Sequence, residues 1–167
     1  PLRHSSAASD VYKRQVTEEI TGIDIVKAQF LLASGAKIGD GICGVPEQQD
    51  IKMKGHAIQS RVTTEDAAND FAPDYGKITV YRSASGHGIR LDAGTAATGT
   101  VITPYYDSLL VKVSAKGQSP VEAKQRMDRA LSEFRVRGVK TNIPFLLKLI
   151  NHPSFDAVSY THLTLPT

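Results

Sequence analysis

The sequence predicts an α+β fold, an antiparallel sheet with helices packed on it. Five short β-rich runs fall between His56 and Ala115, namely "HAIQSRV", "KITVYRS", "GIRLD", "TVIT" and "SLLVKVSA". Turn chemistry separates them ("PDYGK", "SASGHG", "DAGTAATG"), and no helical crossover lies between them, so antiparallel pairing is the simpler connection. One helical run precedes the strands and two follow, the arrangement of a sheet with helices on it.

The first helix is expected over "TGIDIVKAQFLLASG", with Ile23, Val26, Phe30 and Ala33 near helical spacing and Gly35 stopping it in a left-handed conformation. A loop rich in Gly, Pro and Gln follows from Ala36 to Asp50. In "HAIQSRV", Ala57, Ser60 and Val62 roughly oppose Ile58 and Arg61. In "KITVYRS", Ile78, Val80 and Arg82 are expected on one face, with Thr79 and Tyr81 on the other. The second helix has the clearest punctuation: Ser119 as N-cap, Pro120 at the first helical position and Glu122 three after the cap. Met127, Ala130, Leu131 and Phe134 then form an apolar stripe for core packing. "VRGVKTN" leads into a third helix with Leu146, Leu147 and Ile150 inward, ended by "NHP" around Pro153. No internal repeat is evident.

The chain has 167 residues, 41% hydrophobic and 22% charged, which is ordinary globular usage for one domain and argues against disorder. No apolar run is long enough to span a membrane. A lone cysteine, Cys43, cannot form an internal disulfide, so a reducing, cytoplasmic setting is expected. Cys43 itself reads as a bystander of the loop "GDGICGVP" rather than a nucleophile. The net charge is +3, but Arg3, Lys13 and Arg14 stand against Asp10 in the first 15 residues, which leaves +1 for the rest. No basic run remains, so nucleic acid is not an expected partner. Residues 1–15 and 158–167 are polar or weakly patterned and do not join naturally to their neighbours. They are read as flanks foreign to the domain, which leaves 16–157 as a partial domain.

The residues by themselves make a weak case for an enzyme. There is no phosphate-binding "GxxxxGK[ST]" loop and no strand-linked "GxGxxG". None of His4, His56, His87, His152 and His162 stands at metal-ligand spacing to another. Glu18 and Glu19 are expected just before a helix, at the positive end of its dipole, and Glu65 and Asp66 in a turn. Arg90 carries more weight, because it follows Gly86 and Gly88 on a strand and such glycines let a ligand or a second backbone come close. A guanidinium presented there suits a developing oxyanion. An ion pair with Asp92 or Asp107, or a plain exposed strand cation, is the other reading of the same residue.

The phrases "VTEEITGID", "GHAIQSRVTTED", "PDYGKITVYRS", "GIRLDAG", "VITPYYDSLLVK" and "FRVRGVKTNIPFL" occur in order and at natural spacing. From Val16 to Phe155 the chain resembles the biotin carboxylase C-terminal lobe of the pyruvate carboxylase family. "RVTTED" with "GVKTNIPFL" favours that family over acetyl-CoA, propionyl-CoA and urea carboxylases. The resemblance implies an ATP-grasp fold with this lobe completing the active-site wall. It implies a ligase of pyruvate metabolism and gluconeogenesis, using biotin, ATP and Mg2+ or Mn2+. Bicarbonate attacks ATP to give carboxyphosphate. Carbon dioxide released from it carboxylates the biotin enolate, and the biotinyl carrier domain delivers the carboxyl group to pyruvate. A homo-oligomer is implied as well.

On this resemblance Arg90 faces the anionic ureido group of biotin, with Gly88 beside it, and Asp107 and Tyr105 of "PYYDS" support the site. The stretch resembling "NPRxQVEH", which supplies metal ligands and the base on bicarbonate, would precede "VTEE", where this chain has "DVYKRQ". The glycine-rich loop and ATP-binding lysine are missing too, so the segment alone is expected to be inactive. Ala67 and Ala84 replace usual prolines, Ala93 a common glycine and His87 a common phenylalanine. A different biotin-dependent carboxylase and a non-catalytic dimerisation module are the alternatives.

Overall fold

The computed structural model describes residues 14–94, 96–105 and 107–157. The expected flanks lie almost wholly outside them, as does Tyr106 of "PYYDS". The chain divides into two compact units. One holds the described residues up to Gln59 together with Ser114–Arg126. The other holds Ser60–Val113 and the described residues from Met127 onward.

The first unit opens with two short helices, α1 (Gln15–Thr21) and α2 (Ile25–Ala33). The sequence predicts one helix from Thr21 to Gly35; the structure shows a break at Gly22, whose φ of +73° ends α1. Glu18 therefore lies inside the first turn of α1 rather than ahead of a helix. Its Oε1 accepts from the Ile25 N–H at 3.0 Å, and Asp24 accepts from Lys27 N–H at 2.8 Å, so the two acids cap α2. Gly35 has φ +100° just past the end of α2, as the sequence predicts. Of the residues at helical spacing, Phe30 is 72% exposed and Val26 is exposed, while Ala28 is buried. The run is apolar nearly all round, so spacing could not tell which face turns inward. Ile25, Ala28 and Leu32 instead line an apolar hollow of about 570 Å³ with Ile20, Ile51 and Met53. Cys43 is buried and its thiol donates to the Lys37 carbonyl at 3.2 Å, an anchoring role within the loop.

Strands β1 (His56–Thr63) and β8 (Leu109–Gly117) pass through both units, and the main sheet has the order β1–β8–β6, with β6 at Ile89–Ala93. The remaining strands form antiparallel pairs: β2 (Glu65–Asp66) with β3 (Ala72–Pro73), β4 (Gly76–Lys77) with β7 (Val101–Ile102), and β5 (Val80–Arg82) with β9 (Arg135–Arg137). The expected strand "KITVYRS" is split, because Ile78 N–H donates to Thr100 while Thr79 N–H donates to Arg137. The backbone changes partner between those residues. Ile78 is consequently fully buried while Val80 and Arg82 are exposed, so they do not share an inward face. Strand β9, a run of three residues with two arginines, carries no strand signal of its own.

Helix α3 (Pro120–Glu133) starts as its punctuation predicts. Ser119 Oγ accepts from Glu122 N–H at 3.2 Å, while the Glu122 carboxylate reaches past the cap to Gln118 N–H at 2.6 Å. In the second unit Met127, Ala130, Leu131 and Phe134 are buried, in a core with Val62, Ile78, Leu110, Val111 and Val113. Helix α4 (Ile143–Ile150) buries Ile143 and Ile150 and half-buries Leu146 and Leu147; after "NH", a further helix α5 (Pro153–Ala157) begins at Pro153. Met127 has no exposed surface. Met127→Ala is expected to lower the unfolding free energy by about 2–5 kcal/mol, read by chemical denaturation.

Candidate functional site

The turn that delivers β6 is built from its glycines. Gly86 has φ +113° and Gly88 φ +73°, and Ile89 N–H closes onto the Gly86 carbonyl at 3.2 Å. These are conformations that side chains with a Cβ seldom adopt. The turn is tied to α3, since Arg129 donates to the Ser85 carbonyl at 3.1 Å and pairs with Glu133 at 2.7 Å. A Cβ on Gly86 would stand 3.4 Å from the Arg129 guanidinium. His87 between the glycines is exposed.

Arg90 is the second residue of β6. Side chains two apart on a strand share a face, and the Arg90 Nε and Nη2 both donate to Asp92 Oδ1, at 3.2 and 3.0 Å. The pair is largely buried, with side chains 35% and 27% exposed. Of the two acids that the sequence offers to Arg90, Asp92 is one that pairs with it. Asp107 lies 3.6 Å from Arg61 in a pair more than half exposed, which adds little stability. The other Asp92 oxygen, Oδ2, is buried without a hydrogen bond.

Lys112 on β8, the strand between β1 and β6, is 6% exposed. Gln59 donates to Ser114 Oγ at 3.1 Å, so period two puts Arg61 and Lys112 on that same face. Burial pushes the Lys112 ammonium below its usual range and Arg61 pushes the same way, while Asp92 and Asp107 oppose the shift. Lys112 is thus electrostatically coupled to Arg61, Asp92 and Asp107, and Arg90 joins this group through Asp92.

Asn142 fixes one edge of this face. Its Oδ1 accepts from Thr63 N–H and its Nδ2 donates to the Arg61 carbonyl, both at 3.0 Å. Asn142 stands at the N-cap of α4 but makes no side-chain cap bond, because its amide is committed to β1. Tyr105 is 87% exposed, and Asp107 Oδ1 accepts from Leu109 N–H at 3.1 Å, which shapes the start of β8. Sequence reasoning singles out Arg90 but not its structural neighbours Lys112, Arg61 and Asn142. A lysine inside "SLLVKVSA" reads as one polar break in an apolar strand, and only the neighbouring strands reveal its charged company.

Residues 59–166 match the family described as biotin carboxylase C-terminal domain. The chain belongs to that family. This biotin carboxylase lobe is 52% identical over 146 residues to pyruvate carboxylase of Staphylococcus aureus and 55% identical over 145 residues to that of Bacillus subtilis. Each alignment covers 87% of this chain and 13% of the relative. The fold is similar to that of Rhizobium etli pyruvate carboxylase with acetyl coenzyme A as allosteric activator. The TM-score is 0.85 and the identity 60%, over 88% of this chain and 15% of that one. The lobe therefore spans about an eighth of the length of its curated relatives.

Among the described residues no helix is long and apolar enough to cross a membrane, and no group of three His, Cys, Asp or Glu could hold a metal. For Lys112, the unfolded chain binds the extra proton between the lowered folded value and the ordinary 10.5. Stability should rise with pH across that window. Lys112→Met is expected to flatten the rise in denaturation experiments as pH approaches 10.5.

Proposed function

We propose that this lobe forms part of the biotin-carboxylating site of a pyruvate carboxylase. The parent enzyme would use ATP, a divalent metal and bicarbonate to carboxylate biotin, and a biotinyl carrier domain would pass the carboxyl group to pyruvate, giving oxaloacetate. The supporting observation is Arg90, delivered by a glycine turn onto a strand and held by Asp92. That arrangement fits the ureido group of biotin, a small polar ring that becomes anionic on its oxygen. When bound, biotin supplies the nucleophilic nitrogen that takes up carbon dioxide.

Arg90 binds and orients the ureido oxygen through its fixed donors, and its charge favours the anionic form over the neutral one. Gly88 leaves the turn without a side chain beside it, and Asp107 and Tyr105 flank the approach. Metal and nucleotide phosphates fall to the upstream lobe, and the lone thiol Cys43 suits a reducing, cytoplasmic setting. The enzyme is expected to work as an oligomer.

The test is a full-length chimera, with residues 16–155 replacing the matching span of the Bacillus subtilis enzyme. Arg90→Ala in that chimera is expected to lower biotin-dependent carboxylation about a hundredfold or more, the usual order for a lost oxyanion donor. An unchanged rate would remove Arg90 from the site. The purified 167-residue chain is expected to show no ATP-dependent carboxylation of free biotin. Measurable turnover would contradict the assignment of the phosphate-binding work to the upstream lobe.

A further inference from the structure

We propose that Arg82, Arg135 and Arg137 form a binding site for a phosphate group on the exposed face of the β5–β9 ribbon. No basic run announces the cluster, because Arg82 lies far from the other two in sequence and only strand pairing brings them together.

The register sets Arg82 directly opposite Arg135 and Val80 opposite Arg137. Opposed residues share a face, and so do residues two apart on one strand. All three arginines therefore stand on one side of the ribbon, and all three are exposed. Tyr81 and Val136 take the other side, both half-buried, and the Tyr81 ring meets the buried Phe134 edge-on at 6.4 Å between centroids. That apolar side fixes the ribbon to its unit and leaves the charged side outward.

Like charges directly opposite on paired strands weaken the pairing. A carboxylate between them would relieve the conflict. Among the described residues, however, none of the three guanidinium groups makes a hydrogen bond or an ion pair. Glu133, the acid nearest to Arg135 in sequence, is engaged by Arg129 at 2.7 Å. Local rules broken without a packing gain mark functional positions. The shape of the surface selects the ligand. An open hollow of about 200 Å³ is lined by the three arginines with Ser132, Phe134 and Val136. Each guanidinium offers a rigid fork that matches two phosphate oxygens, and its charge does not titrate away. Three forks on neighbouring positions suit one compact, multiply charged anion better than an extended acidic chain, whose charges are spread along its length. A dianionic phosphate, free or carried by a small ester, has that form, and the Ser132 hydroxyl adds a donor.

The experiment titrates inorganic phosphate, and separately glycerol phosphate, into the purified 167-residue chain at constant ionic strength, with chloride as the screening control. Phosphate at roughly ten times its Kd is expected to raise the melting temperature by about 3–5 °C. Arg135→Gln should weaken phosphate binding about tenfold or more, the order for a lost charge-assisted hydrogen bond. The same variant should melt higher than the parent when phosphate is left out, because the opposed charge is relieved. Lys27→Gln, which removes an exposed cation of the first unit, should change neither reading. In the full-length chimera, equilibrium dialysis should count one phosphate fewer per chain when Arg82→Gln and Arg135→Gln are combined. A response to inorganic phosphate alone would assign the site to the free ion, and an equal response to glycerol phosphate would assign it to an ester; either supports the site. A phosphate effect no larger than that of chloride, or one that survives the double substitution, would overturn it. So would an Arg135→Gln chain that melts lower without phosphate, since the arginine would then be holding the ribbon together.

Discussion

A charged ammonium on the strand between β1 and β6 is the constraint around which this lobe is arranged. Lys112 sits on β8 with hardly any access to solvent, between β1 and β6. A buried cation without compensation would neutralise or pull the sheet open. Asp92 and Asp107 supply the compensation, and each also meets an arginine of its own strand neighbourhood, Arg90 at 3.0 Å and Arg61 at 3.6 Å. Arg90, Arg61 and Lys112 with these two carboxylates form the charged group that the lobe presents.

The scaffold holds this face from several directions. The glycine turn before β6 is tied by Arg129 to α3, whose own apolar stripe is locked in the core. On the opposite edge Asn142 stitches β1 to the start of α4 through two side-chain bonds at 3.0 Å. Both ties come from the helical segments that follow the sheet in sequence. Folding of the helices and alignment of the charged strands are therefore coupled, and a fault in α3 packing would be felt at Arg90 without touching it.

Much of this was legible in the sequence, for identifiable reasons. Ser119, Pro120 and Glu122 form a local signal, and α3 begins where they put it. The strands β1, β6 and β8 have β-rich composition bounded by turn residues, and they appear at the expected places. The first helical run spans Thr21 to Gly35 on spacing, but the helix starts only at Ile25, because Gly22 in a left-handed conformation ends a separate helix before it. "KITVYRS" reads as one strand, because the switch of partners between Ile78 and Thr79 depends on distant segments of the chain, around Thr100 and Arg137. The same limit applies to the site. Arg90 stood out through its flanking glycines, whereas Lys112 and Asn142 owe their roles to neighbours on other elements.

Family membership and geometry point the same way. In the proposed function the lobe is one wall of a larger active site, to which it contributes Arg90. The central claim is that the Arg90 guanidinium meets the ureido oxygen of biotin. The most direct measurement is a crystal structure of the full-length chimera with biotin bound. The account predicts an Arg90 nitrogen within about 3.2 Å of the ureido oxygen, with Asp92 still holding the opposite side of the guanidinium. Biotin held by other residues, with Arg90 engaged only by Asp92, would contradict it.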